Sequence, residues 1–289
     1  MYSFRSGFAQ VNGARISYEL IGEDDLPLIV LLAGATNSLD WWDVDFCRLL
    51  AGEGYRVARF DYRDTGRSST YATNDPGYGF DELVADCAAL IDYFGAKRAH
   101  LVGCSMGGGI AQRMAIEHPE RVASIALFST TPGMRPGAPS LPGLPPPSKS
   151  LRLSLSTDAG VDWSSRPAAI NEIVRNAGLF AGPNTAGSSY FERLAARVFV
   201  RTTNMAASMS NHWRMRSGVD YHALLGDIRA PALIAHGTRD PLFAFEHAEQ
   251  LALAIRHARL LPLVGVGHEI PPAGTWPLVV SQLVALAAE

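Results

Sequence analysis

Short apolar runs alternate along the chain with segments of helix length, and this alternation limits the possible folds more than any other feature. Residues 28–33 are apolar at every position, so they predict a central strand that is covered on both faces of a sheet. Similar runs follow at residues 55–60, 99–103, 124–128, 232–236 and 259–263. Helix-like segments span residues 41–52, 80–95, 105–118, 244–255 and 276–288. These repeated units predict an α/β fold with a mostly parallel central sheet flanked by helices.

Two further segments frame this pattern. Residues 8–12 and 15–19 predict a hairpin around Asn12-Gly13, which is a strong short turn signal. The alternation stops between Thr131 and Ala230: residues 132–147 carry seven of the 18 prolines, and residues 167–176 and 188–203 have a helical pattern. We therefore expect a core domain of residues 1–131 and 230–289. The inserted residues 132–229 should form a mainly helical cap, reached through a Pro-rich linker.

Composition argues against several classes of partner. The net charge is −3, and no run of Lys or Arg suggests nucleic-acid binding. The longest apolar runs fall far short of the roughly 20 residues that span a bilayer, and the N-terminal sequence lacks the pattern of a secretory leader. The three cysteines are widely spaced, which suits a reducing compartment and supplies no metal-ligand cluster. We expect a cytoplasmic monomer or homodimer that binds no nucleic acid, membrane or metal and needs no cofactor.

The most specific motif is Gly-Cys-Ser-Met-Gly at residues 103–107. It directly follows an apolar strand and precedes a helical segment, which is the context of a G-x-S-x-G nucleophile elbow. A glycine stands two positions before Ser105 and another two positions after it, because the strained turn leaves no room for side chains at those positions. Ser105 is therefore a candidate nucleophile at a helix N-terminus, where backbone N–H groups favour negative charge. The alternative is a glycine-rich turn with an N-capping serine.

A serine nucleophile needs a base and a group that orients the base. Asp240 follows one apolar strand and His268 follows the next, so both should lie at the carboxyl edge of the sheet with Ser105. We predict His268 as the base and Asp240 as the acid that holds its ring. The alternatives are that Asp240 caps the following helix and that His268 is an ordinary loop histidine.

Other residues should bind the substrate or its developing charge. The N–H of Met106, next to the nucleophile, and the N–H of Ala35, in the loop after the first central strand, are the expected oxyanion donors. The predicted substrate-binding residues are Gly34, Trp42, His212 and Trp213. The loop of residues 61–68 carries four charges, which could contact an anionic substrate, although salt bridges within the structure are the preferred interpretation.

These motifs together resemble the α/β-hydrolase fold over nearly the whole chain outside residues 131–229. Residues 59–68, 78–80 and 99–103 more narrowly resemble esterases that act on bulky polyketides, in particular aclacinomycin (anthracycline) methylesterases, with macrolide esterases as a related group. The resemblance assigns the same roles to Ser105, Asp240, His268, Met106 and Ala35. The chain departs from it at residues 33–35, where many members have His-Gly followed by a bulkier residue, and in the Pro-rich linker.

The expected function is that of a serine hydrolase acting through an acyl-enzyme. The substrate would be a small-molecule carboxylic ester, either a methyl ester or a macrocyclic lactone-type ester. It would be bulky and apolar, and a polyketide is one such compound. The same triad also serves lactonases, amidases, carbon–carbon hydrolases and perhydrolases, so these reactions remain open. A non-catalytic ligand-binding member of the fold is a further alternative.

Overall fold

The computed structural model describes residues 3–136, 141–155 and 160–289. The strands within these ranges form one eight-stranded sheet in the order β1-β2-β4-β3-β5-β6-β7-β8. Strands β3 to β8 run parallel, and β1 and β2 are antiparallel to their neighbours. The strands are β1 Phe4–Val11, β2 Ala14–Ile21, β3 Leu28–Leu32, β4 Arg56–Phe60, β5 Ala99–Cys104, β6 Val122–Phe128, β7 Ala232–Gly237 and β8 Arg259–Leu263. The predicted mostly parallel sheet is therefore confirmed.

Helices cover both faces of this sheet. The helices outside the insertion are α1 Val44–Gly52, α2 Phe80–Tyr93, α3 Met106–Glu117, α8 Phe245–Ala254 and α9 Trp276–Ala287. In the sheet, β4 lies on one side of β3 and β5 lies on the other, so the connections β3–β4 and β4–β5 cross the sheet in opposite directions. Right-handed crossovers therefore place α1 and α2 on opposite faces. Helix α1 packs against α9, and α2 packs against α3. Every residue of β3 and β4 is buried, including Arg56 and Arg59 of β4, and the wholly apolar sequence of β3 predicts its burial.

The N-terminal hairpin forms where the sequence predicts it. Asn12 and Gly13 both have positive φ, 45° and 74°, which is the backbone of a two-residue turn whose twist matches the strands it joins. Strands β1 and β2 extend beyond the predicted residues 8–12 and 15–19 because their pairing continues from Val11↔Ala14 to Phe4↔Ile21.

The inserted segment (residues 132–229) lies between β6 and β7 and is helical where it is regular. Its helices are α4 Lys149–Leu155, α5 Arg166–Phe180, α6 Ser188–Arg201 and α7 Met205–Ser210. Helices α5 and α6 pack together around a small apolar cluster separate from the main core. Part of the predicted Pro-rich linker, residues 137–140, lies outside the described residues.

In the described part of the chain, no helix combines the length and the apolar character that crossing a membrane requires.

Candidate active site

Ser105 sits on a sharp turn between β5 and α3. Its φ of 52° and ψ of −115° lie in a region that residues with a side chain rarely adopt, and such backbone strain is typical of functional turns. A Cβ atom on Gly103 would overlap the backbone of Gly107, and one on Gly107 would overlap the carbonyl oxygens of Leu32 and Ala33. The glycines of the motif therefore let the turn pack directly against the end of β3.

The structure brings the three predicted catalytic side chains into one hydrogen-bonded chain. His268 Nε2 lies 3.0 Å from Ser105 Oγ, and His268 Nδ1 lies 2.8 Å from Asp240 Oδ2. Because the carboxylate can only accept, Nδ1 carries the proton and Nε2 presents a lone pair to the serine hydroxyl. This tautomer is the one a general base needs.

Asp240 is held as a carboxylate by its surroundings. Its Oδ1 accepts the N–H groups of Leu242 and Phe243, both at 2.8 Å, and His236 Nε2 lies 3.3 Å from Oδ2. Burial acts to raise the pKa of Asp240, but the charge of His268 and the hydrogen bonds from His236 and His268 outweigh it and hold the pKa well below its ordinary value. Helix α8 begins only at Phe245, so Asp240 is not its N-cap.

The ring of His268 is fixed by the residues around it. Its backbone N–H donates to Phe180 O at 2.7 Å, and the Phe180 and Phe243 rings pack against the imidazole at centroid distances of 5.7 and 5.3 Å. Gly267 permits this approach, because a Cβ atom there would overlap the backbone of residues 180–182. The inserted segment therefore contributes directly to the position of His268.

The predicted oxyanion donors lie on either side of Ser105. Met106 is the first residue of α3, so its N–H has no acceptor within the helix. Among the described residues, neither Met106 N–H nor Ala35 N–H has a hydrogen-bond acceptor in the protein. Both groups are therefore free to donate to a ligand.

A cavity of about 590 Å³ opens above Ser105, between the sheet and the inserted segment. The predicted site residues Gly34, Ala35, Ser105, His268 and Trp213 line it. Its wall is rich in aromatic side chains: Trp41, Trp163, Phe180, Phe191, Trp213 and Phe243. This is enough space for a ligand with several rings.

Two of the predicted substrate-binding residues do not line this cavity. Trp42 is fully buried in the main core, where it stacks on Phe46 at 5.8 Å and meets the Phe128 ring edge-on at 6.5 Å. His212 is also fully buried, and both of its ring nitrogens are hydrogen-bonded to backbone groups. The prediction that Trp42 and His212 contact the substrate is therefore wrong.

Several residues of the cavity wall were not predicted, among them Trp41 and His247. Trp41 lines the cavity in place of its neighbour Trp42, because residues 39–41 form a 3-10 turn rather than the start of the predicted helix. His247 lines it as well; it is 1% exposed and hydrogen-bonded to Thr131 and Pro145. Helical periodicity within α8 could have identified His247, but no local signal distinguishes Trp41 from Trp42.

Two charges of the 61–68 loop form ion pairs within the protein. Arg63 pairs with Asp86 at 2.7 Å, and Asp61 pairs with Arg201 at 2.8 Å. No residue of this loop lines the cavity. Within the described ranges, no three His, Cys, Asp or Glu side chains are grouped as metal ligands would be.

Comparisons with known proteins agree with this geometry. The model of the alpha/beta hydrolase fold family matches residues 27–273. The rhodomycin D methylesterase DauP of Streptomyces sp. (strain C5) is 31% identical over 268 residues, covering 88% of each chain. The rhodomycin D methylesterase DnrP of Streptomyces peucetius is 30% identical over 265 residues, again covering 88% of each chain. These relatives confirm the predicted resemblance to methylesterases.

Solved structures give the same fold. The enol-lactonase from Burkholderia xenovorans LB400 matches with a TM-score of 0.73 and 24% identity, covering 98% of this chain and 100% of that chain. Since the family model matches residues 27–273 and two methylesterases are 30–31% identical to this chain, the protein is a hydrolase that belongs to the α/β-hydrolase fold family.

Proposed function

We propose that the protein is a serine esterase that cleaves a bulky, apolar carboxylic ester through an acyl-enzyme. The observation that carries this proposal is the unbroken hydrogen-bonded chain from Asp240 through His268 to Ser105 Oγ, which ends at an apolar cavity. A hydroxyl joined to an oriented imidazole in this way is an activated nucleophile.

In the first half of the reaction, Ser105 Oγ attacks the ester carbonyl carbon while His268 Nε2 takes its proton. The carbonyl oxygen becomes an oxyanion and accepts hydrogen bonds from Ala35 N–H and Met106 N–H. The imidazolium, stabilised by the carboxylate of Asp240, then gives its proton to the leaving oxygen. An alcohol departs, and the acyl group stays on Ser105.

In the second half, His268 takes a proton from a water molecule as that water attacks the acyl carbon. The new oxyanion uses the same two N–H donors. When the intermediate collapses, Ser105 Oγ leaves the acyl carbon and recovers its proton from His268. The carboxylic acid is released and the enzyme returns to its starting state, with all atoms and protons accounted for.

The cavity wall and the relatives suggest the substrate class. Flat aromatic side chains on both the sheet side and the inserted segment suit a rigid molecule with several rings. The relatives DauP and DnrP are named as methylesterases of rhodomycin D. We infer a methyl or macrocyclic lactone-type ester of a bulky apolar compound, for which a polyketide is the leading candidate.

Covalent labelling tests the nucleophile. Three proteins are incubated with a fluorophosphonate, and their intact masses are measured: the wild type, Ser105→Ala and the control Ser6→Ala. Ser6 is exposed on β1. A single adduct on the wild type and the control, absent from Ser105→Ala, is expected. An adduct of equal yield on Ser105→Ala would refute the assignment.

Turnover of p-nitrophenyl, methyl and macrocyclic esters tests the reaction. Ser105→Ala should keep its far-ultraviolet circular dichroism and lose activity by several orders of magnitude. Full activity of that variant would rule out the mechanism. Labelling of Ser105 without turnover of any ester would instead favour an amide, a carbon–carbon bond or a peroxide-dependent reaction as the chemistry of this triad, or a ligand-binding role.

A further inference from the structure

His212 makes two hydrogen bonds that define its chemical state. It lies in the short turn Asn211–Trp213 of the inserted segment. The backbone N–H of Thr36 donates to His212 Nδ1 at 2.8 Å, so Nδ1 is unprotonated. Nε2 therefore carries the proton and donates it to Arg63 O at 3.0 Å. His212 is a neutral imidazole that joins two loops of the core.

The loop it holds contains a proposed oxyanion donor. Thr36 has a φ of 66°, a left-handed conformation that is unfavourable for a residue with a side chain. Asn37 N–H donates to Gly34 O at 3.2 Å, which fixes the peptide unit that carries Ala35 N–H. The bond from Thr36 N–H to His212 fixes the next peptide unit. Both peptide planes flanking the α-carbon of Ala35 are thus restrained.

The turn that carries His212 is itself firmly attached to the core. Asn211 Nδ2 donates to Asp64 Oδ2 at 2.8 Å and to Ala72 O at 3.0 Å, and Asn211 Oδ1 accepts Asn74 N–H at 2.7 Å. The Tyr62 and Tyr78 rings pack edge-on against the imidazole at 6.0 and 6.4 Å. The imidazole therefore cannot simply follow the 34–37 loop if that loop relaxes.

We propose that His212 is a positioning residue that holds the 34–37 loop so that Ala35 N–H points at the reacting oxygen. It does not touch the substrate, and it acts through the acceptor that it offers to Thr36 N–H. This inference rests on the proposed esterase function. It also explains why a histidine of the inserted segment is fully buried near the site without lining the cavity.

The electrostatics of the site agree with this role. Burial lowers the pKa of His212 to about 4, against smaller opposing effects of its bond to Arg63 O and of the Asp64 carboxylate. The imidazole is therefore neutral at neutral pH. A proton on Nδ1 would face the Thr36 N–H and break the bond, so the neutral state is the one that positions the loop.

Two substitutions separate the two hydrogen bonds. Asn places its Oδ1 near the position of Nδ1, so His212→Asn can still accept Thr36 N–H but loses the bond to Arg63. Gln reaches the position of Nε2, so His212→Gln can keep the bond to Arg63 but leaves Thr36 N–H without an acceptor. The two variants are of similar size and polarity, and each lacks a different one of the two hydrogen bonds of His212.

Three readouts are compared: kcat and KM for the best ester, the rate of reaction with the fluorophosphonate, and hydrogen exchange of the Thr36 amide. We expect His212→Gln to lose at least about tenfold in kcat with little change in KM, below the roughly 10²–10³-fold loss caused by deleting an oxyanion donor. Its Thr36 amide should exchange faster. His212→Asn should retain most of kcat and the slow exchange of the Thr36 amide.

The outcomes distinguish this inference from the function on which it rests. A His212→Gln variant with wild-type kcat, or a Thr36 amide that exchanges rapidly in the wild-type protein, would overturn the positioning role alone. Equal losses of kcat in both variants would mean that His212 only supports the packing of the inserted segment. A wild-type protein that neither reacts with fluorophosphonate nor hydrolyses esters would overturn the proposed function, and the inference with it.

Discussion

The ion pair between Arg201 and Asp61 offers a quantitative test of how the inserted segment is joined to the core. Arg201, at the end of α6, hydrogen-bonds to Asp40 and reaches Asp61 Oδ2 at 2.8 Å. The Asp61 side chain has no solvent exposure, and that of Arg201 is 15% exposed. Replacing Arg201 by Met keeps most of the aliphatic stem but leaves two buried carboxylates, Asp61 and Asp40, without their common partner.

The expected cost is large. Removing one partner of a buried ion pair destabilises a protein by about 3–5 kcal/mol, out of a total stability of about 5–15 kcal/mol. Burial raises the pKa of Asp61 even in the presence of Arg201, and the loss of Arg201 should raise it further. A carboxyl whose folded-state pKa is raised holds a proton that the unfolded chain releases. The stability of Arg201→Met should therefore fall as pH rises, by up to about 1.4 kcal/mol per pH unit.

Urea unfolding at pH 5.5 and 7.5 measures this effect. Arg193→Met, on an exposed position of the same helix, is the control and should change stability by less than about 0.5 kcal/mol. Adding Asp61→Asn to Arg201→Met removes one of the two buried charges, since Asp40 stays unpaired, so the double variant should regain part of the stability at pH 7.5 and lose the pH dependence that Asp61 adds. An equal loss at both pH values, or a loss no larger than that of the control, would refute the reasoning.

Further predictions concern the site. In Gly107→Ala the new Cβ would overlap Leu32 O, so slower fluorophosphonate labelling and a loss of about 1–3 kcal/mol on thermal unfolding are expected. Trp213→Ala, at a position 56% exposed on the cavity wall, should raise KM for bulky esters and leave the urea midpoint unchanged. Trp42→Ala should do the reverse, costing about 3–5 kcal/mol of stability while the relative rates on different esters stay the same. For His212 the folded pKa of about 4 lies below its ordinary 6.5, so the unfolded chain binds the proton first. The wild type should lose up to about 3 kcal/mol relative to His212→Asn as pH falls from 6.5 to 4, and parallel urea-derived stability curves would contradict this.

Much of the fold could be read from local patterns. All six parallel strands lie within two residues of their predicted limits. Short, mostly apolar runs are typical of strands in a parallel sheet, although β4 includes two arginines and the edge strand β8 is partly exposed. The hairpin at Asn12-Gly13 was equally predictable, since its turn needs positive φ at two successive positions and Asn and Gly are the residues preferred there. The ends of helices were less predictable: the segment predicted at residues 41–52 becomes an α-helix only at Val44.

The candidate catalytic residues were found for a topological reason. Ser105, Asp240 and His268 each follow a parallel strand, and the carboxyl ends of parallel strands lie along the same edge of a sheet. Order along the chain and residue type therefore suffice to bring them near one another. The distances of 3.0 and 2.8 Å between them depend on more, including the contact of His268 N–H with Phe180 O from the inserted segment.

The sequence by itself determined the sheet, the sharp turn at Ser105 and the side chains that meet there, because hydrophobic periodicity and glycine placement act over a few neighbouring residues. Only the tertiary structure decided that Trp41 faces the cavity while Trp42 enters the core, and that His212 bonds to the backbone of Thr36 rather than to a ligand. His212 and Thr36 are far apart in sequence, and their contact exists only after the inserted segment has packed on the sheet. Such contacts depend on the direction of side chains in short turns and on what lies opposite them, and neither is encoded in a local pattern.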